Sequence, residues 1–94
     1  MYLLNAFSLQ MINGNCTIKV TEVDGNSLPK GLISGIGHKD TANVLGVEMN
    51  RLNVKLNVGD TAYVAQLQGG RLPEGSTTLP QGFSFKFYRI DVLD

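Results

Sequence analysis

The sequence predicts an α+β domain: a single small mixed β-sheet of about five strands flanked by one or two helices. Three observations lead there. Short runs of alternating apolar and polar residues outnumber runs with helical spacing. The elements do not follow a strict βαβα order. And 94 residues with 43% hydrophobic content suffice for one core and little more. Residues 1–94 therefore read as one domain, with no repeat and no linker long enough to divide it. An uncovered edge in so small a sheet invites pairing with a second copy.

The elements follow in order. Tyr2 to Ser8 reads as a buried first strand. Thr17 to Val23 alternates Ile18 and Val20 with Thr17, Lys19 and Thr21, the pattern of a half-buried strand, and Asn13-Gly14-Asn15 is a turn of hairpin type between the two. Pro29 fits the start of a short helical turn leading to Leu32-Ile33, and Ser34 to Gly37 reads as a turn. Lys39 to Glu48 has helical character, with Gly46 bringing its end forward. Leu52, Val54 and Leu56 alternate with Asn53, Lys55 and Asn57, which predicts a strand. Val58-Gly59-Asp60 would turn it into a second strand, Thr61 to Leu67, as a hairpin. Gly69 to Gly75 reads as an irregular loop. Phe83, Phe85 and Phe87 share one strand face, after which the apolar phase moves to Tyr88, Ile90 and Val92; that shift predicts a bulge or an exit from the sheet.

Composition excludes several classes. Eight Lys plus Arg balance eight Asp plus Glu, so there is no global positive field of the kind that tracks long nucleic acids. The charged fraction, 17%, lies below the usual ~25%, leaving surface polarity to Asn, Gln, Ser and Thr. One cysteine, Cys16, rules out an internal disulfide framework and Cys-rich zinc sites; it reads as buried filler in a strand. One histidine, His38, rules out HExxH zinc sites, and no GxSxG elbow is present. No window reaches the ~18 apolar residues of a membrane span. The first residues lack the basic region and cleavage site of a signal peptide, and with a free thiol they fit a reducing cytoplasm.

Chemistry could sit in three places. The first is Gly35-Ile36-Gly37-His38-Lys39-Asp40-Thr41-Ala42. Its glycines let the backbone turn tightly, and a helix start offers unpaired N–H groups to a phosphate. Lys39 adds a charge, and His38 brings the side chain best suited to moving protons near neutral pH. Asp40 or Thr41 would serve as helix N-cap. The spacing is neither GxxxxGK[ST] nor GxGxxG, and a solvent-exposed histidine at a helix start is the plain alternative. The second is Gly70-Arg71-Leu72-Pro73-Glu74-Gly75, where Arg71 offers a bidentate fork for phosphate and Glu74 could orient it or act as a base. By spacing alone this segment reads more readily as an exposed turn with a weak ion pair. The third is Asn5-Ala-Phe-Ser8, where Asn5 and Ser8 offer hydrogen bonds at a strand end, and Gln66 and Gln68 carry amides that suit adenine; ordinary polar strand residues are the plainer reading of all four. The phenylalanine stripe reads as core or subunit interface.

Together, Tyr2-Leu-Leu-Asn-Ala-Phe-Ser8, Ile36-Gly-His38 with Thr41-Ala42, and Arg71-Leu-Pro-Glu-Gly75 give the chain a family likeness. It resembles the viral ring nucleases, a type III anti-CRISPR family of archaeal viruses and bacteriophages. The likeness runs from Tyr2 to the aromatic last strand, with the stretches around Asp24 to Lys30 and after Gly75 compressed. It implies a phosphodiesterase, needing neither metal nor cofactor, that opens cyclic tetra-adenylate, the second messenger of type III CRISPR complexes, and so silences host immunity in the host cytoplasm. It also implies a homodimer with the ring bound across the subunit interface. Residue by residue, His38 matches the catalytic histidine and Glu74 the active-site glutamate. Arg71 matches the active-site arginine. Asn5 and Ser8 match pocket-lining strand-end residues, and Gln66 matches a ligand-contacting glutamine, with Gln68 the alternative because Leu67 to Gly70 holds one extra residue. Gly37 and Lys39 would complete the phosphate contacts.

On this reading the ribose 2′-OH attacks the adjacent phosphate, His38 protonates the departing 5′-oxygen, and Arg71 and Lys39 stabilise the phosphoryl oxygens. A dimer would set four such cations opposite four phosphates and one histidine at each of two cuts, so activity should require two chains. Two readings from other classes stand beside it: a module that sequesters a nucleotide without cutting it, and a viral protein-interaction module using the phenylalanine face. No long nucleic acid and no membrane is expected as partner.

Overall fold

The structure, a computed structural model, describes residues 1–94. Its strands are β1 (Tyr2–Leu4), β2 (Thr17–Val23), β3 (Ile33–Gly35), β4 (Thr61–Gln68) and β5 (Ser84–Leu93), with one helix, α1 (Lys39–Leu45). They form a five-stranded mixed sheet in the order β2-β5-β4-β1-β3. β1 runs parallel to both β3 and β4, while β5 runs antiparallel to β4 and β2. The α+β class holds.

The central position of β4 follows from its sequence. Ala62, Tyr63, Val64 and Ala65 are buried in succession, as befits a strand covered on both faces. On one face Leu3, Tyr63 and Ala65 pack with Ile36 and with Ala42 of α1. On the other, Leu4, Ala62, Val64, Ile90 and Val92 pack with Val54 and Leu56.

Val54 and Leu56 overturn the predicted hairpin. Residues 51–60 form no strand; the segment crosses the sheet's second face and makes one bridge, Leu56 to Ile12. The alternation holds in part: Val54 and Leu56 are buried between exposed Asn53, Lys55 and Asn57, but Leu52 is itself exposed. It reports contact with a face, not membership of the sheet, because both edges of β4 are already taken by β1 and β5.

Other expectations change for similar reasons. The first strand ends at Leu4, and β1 and β2 are not neighbours, so Asn13 to Asn15 closes no hairpin. Ser8 instead caps a 3-10 turn over Leu9–Met11, accepting from the Gln10 N–H. A second such turn, Gly25–Ser27, is capped by Asp24 and precedes Pro29, which starts no helical turn. Ser34 and Gly35 belong to β3, not to a turn. Cys16 is half-buried just before β2. The last strand has no bulge: its pairing with β4 runs unbroken from Gln68–Ser84 to Thr61–Asp91. The apolar phase shifts because Phe85 and Phe87 pack on the helix side and Tyr88, Ile90 and Val92 on the other.

At the amino end of β4, the Thr61 hydroxyl donates to Asp91 at 2.7 Å and Arg89 pairs with Asp91 at 3.0 Å. The Thr61 hydroxyl, and then Arg89, hold the Asp91 carboxyl below its ordinary value of 3.8 against the opposing effect of burial. A depressed carboxyl stabilises the fold above its unfolded value, and that contribution is lost as pH falls through the lower folded value. Wild type should therefore lose more of its urea midpoint than Asp91→Asn between about pH 6 and about pH 3. Equal losses would remove Asp91 from the acid response.

Candidate functional site

Because β3, β1 and β4 are parallel, their carboxyl ends meet at one edge of the sheet. Crevices outside such ends are where sheets of parallel strands bind ligands. Here the edge collects Asn5, which follows β1, the Gly37-His38 stretch, which follows β3, and the loop after β4 that carries Arg71. Asn5, His38, Thr41, Leu67 and Arg71 line one cleft of about 180 Å³, with Ala65 and the buried Leu72 behind.

Local folding sets His38 in place. Gly37 has both polar backbone groups held: its N–H donates to Asn5 Oδ1 at 3.3 Å, and its carbonyl accepts from Arg51 Nε at 3.1 Å. A Cβ on Gly37 would lie 3.4 Å from Arg51 Cγ, an ordinary contact, so packing alone does not demand glycine here. Downstream, His38 itself is the N-cap of α1: its Nδ1 accepts from the Thr41 N–H at 3.3 Å and lies 3.2 Å from the Thr41 hydroxyl. The expected caps, Asp40 and Thr41, are thus replaced by the residue in front of them. The cap engages Nδ1 and leaves Nε2 without a protein partner, so a neutral ring carries its proton on the outward-available nitrogen.

The cap takes up part of the phosphate cradle expected at the helix start. α1 has only seven residues, and its Thr41 N–H is already used by His38. Of the two predicted cations, Arg71 lines the cleft from its loop, whereas Lys39, exposed at the first helical position, is not among the lining residues. Gly46 closes the helix in the left-handed conformation (φ 72°), with its N–H bonded to Ala42 and Asn43 carbonyls, which is why helical residues stop at Leu45.

The remaining predicted residues separate. Gln66 projects from the other face of β4, exposed in a neighbouring cleft of about 330 Å³ with Phe7, Val20 and Tyr88. Asn5 lines both clefts, so the two meet at the end of β1. Gln68, half-buried at the end of β4, shares the parity of Gln66. Ser8 is exposed and spends its side chain on the 3-10 turn. Glu74 is exposed and makes no ion pair with Arg71; the one ion pair of the molecule is Arg89–Asp91, at the far end of the strands.

Two residues escaped the sequence reading. Arg51 stands before the alternating Leu52 to Leu56 run and carries no motif, yet it fixes the Gly37 carbonyl. Asp40 was read as a cap, but its carboxylate accepts from the Gly75 N–H at 3.2 Å, across 35 residues. No helix is long and apolar enough to cross a membrane.

A comparison with curated proteins found no match. Among solved structures the chain is similar to B116 of Sulfolobus turreted icosahedral virus. The two share 30% sequence identity and a TM-score of 0.77, over 96% of this chain and 97% of that one. Likeness to a viral protein along the whole length agrees with the resemblance carried by the three motifs. A family model described as STIV B116-like matches residues 1–84. The chain belongs to the STIV B116-like family.

Proposed function

We propose that the protein is a metal-independent ring nuclease that opens cyclic tetra-adenylate and thereby blunts type III CRISPR immunity in the host cytoplasm. One observation carries the reading: His38 and Arg71, 33 positions apart in sequence, line the same cleft at the carboxyl ends of the parallel strands, with Asn5 between β1 and both clefts.

The chemistry needs positioning more than force. The 2′-oxygen attacks the adjacent phosphorus while the bond from phosphorus to the 5′-oxygen breaks. His38 acts as the imidazolium, its Nδ1–H donating to the Thr41 hydroxyl 3.2 Å away; it gives its Nε2 proton to the departing 5′-oxygen and returns to the neutral ring, while Arg71 and Lys39 offset charge on the phosphoryl oxygens. Glu74 receives the proton of the 2′-OH, or it orients Arg71 while solvent water takes that proton. The products are a 2′,3′-cyclic phosphate and a free 5′-hydroxyl, so two cuts give two linear di-adenylates. The cleft holding Gln66, Phe7 and Tyr88 suits an adenine beside the scissile phosphate, since it combines an amide with aromatic faces. A homodimer would supply one such set to each half of the ring.

The expected result is complete conversion of excess cyclic tetra-adenylate to di-adenylate by substoichiometric protein in EDTA, read by chromatography. Binding without turnover would leave the sequestering module instead. No binding at all would leave the protein-interaction reading.

A further inference from the structure

We propose that Asp40 is a positioning residue that ties the Arg71–Glu74 loop to the helix carrying His38, and so sets the geometry of the site; this rests on the ring-nuclease reading above.

The connection from β4 to β5, residues 69–83, has no regular structure. Its neck is narrow, since a Cβ on Gly69 would lie 2.8 Å from the Gly82 carbonyl oxygen. A compact loop with close ends is a body of its own, placed by whatever touches it beyond the neck. Here that is little. The buried Leu72 anchors it by packing. Its internal hydrogen bonds run from the Ser76 N–H and hydroxyl to the Pro73 carbonyl, and from the Phe83 N–H to the Pro80 carbonyl. Only one hydrogen bond leaves it, from the Gly75 N–H to Asp40.

Asp40 lies two residues past His38 in the first turn of α1, and Gly75 directly follows Glu74. One bond therefore couples the two segments whose side chains must act on the same phosphate. A charged acceptor makes it roughly twice as strong as a neutral bond. An acidic residue in a helix's first turn also gains from the helix dipole. Asp40→Asn separates the two roles, because it removes the charge and keeps an acceptor oxygen.

Two measurements on the full chain test this. In steady-state cleavage of cyclic tetra-adenylate, Asp40→Ala should lower kcat about tenfold with KM changed less than about threefold, and Asp40→Asn should stay within about threefold of wild type on both. In native-state trypsin digestion, Asp40→Ala should speed nicking of the Arg71–Leu72 bond about tenfold, and Asp40→Asn should not. The proposal is overturned by wild-type nicking in Asp40→Ala, by faster nicking without loss of turnover, or by Asn and Ala behaving alike. Accelerated cleavage at every Lys and Arg would also overturn it, since that marks global unfolding. If wild type does not open the ring, the ring-nuclease reading fails alone, and site-specific nicking still decides whether Asp40 holds the loop.

Discussion

Replacing His38 by alanine is expected to lower cleavage of cyclic tetra-adenylate by at least about a hundredfold, the usual loss on removing a general acid. Ring binding, measured by equilibrium titration, should weaken only a few-fold, because Arg71, Lys39 and the strand-end amides remain. The structure adds a complication. His38 also caps α1, so alanine removes the acceptor of the Thr41 N–H and costs about 1 kcal/mol of stability. His38→Asn distinguishes the two roles. Asparagine is a good N-cap and cannot transfer a proton, so it should restore the urea midpoint while leaving turnover as low as in alanine. If asparagine restores cleavage as well, the histidine acts through the fold and proton transfer belongs elsewhere.

How far the sequence could be read depends on what kind of contact each residue makes. His38, Arg71 and Asn5 were legible as candidates because their motifs are local, and the fold brings all three to one cleft. Gln66 was legible as an amide on a strand, but its place in a separate cleft on the opposite face of β4 from Arg71's was not. That needed the knowledge that β4 is central and covered on both faces. The same fact hid the fate of Val54 and Leu56. Alternation records which side chains are buried, and a segment lying across a sheet alternates as a strand within it does. Residues 62–65 are the reverse case: an unbroken buried run announced two covered faces, and its partners lay far off in sequence, at β1 and β5. Arg51 and Asp40 act on backbone groups of distant loops. Nothing in their neighbours could reveal that, since a lone polar side chain carries no pattern.

The second large effect is on stability, at the meeting of β1 and β3. Leu4 is 2% exposed, and its Cδ2 lies 2.7 Å from where a Cβ on Gly35 would stand. Leu4→Ala should cost about 3 kcal/mol, through lost burial and the cavity it leaves. In a domain of this size that lowers Tm by roughly 12–24 °C. Gly35→Ala alone should cost about 1–3 kcal/mol by overpacking, since the leucine is enclosed and cannot swing away. In the double variant the methyl group meets no leucine and fills part of the cavity. The two costs should then fall short of additivity by at least about 1 kcal/mol, read from the urea midpoints of all four proteins. Agreement with simple addition to within about 0.5 kcal/mol would mean that the two side chains do not compete for one space. The cycle also reaches the site. Leu4 precedes Asn5, and Gly35 lies two residues before Gly37, so this packing sets the hydrogen bond from the Gly37 N–H to Asn5. A double variant that regains stability should regain ring cleavage with it, because the same contact holds β1 against the segment that leads to His38.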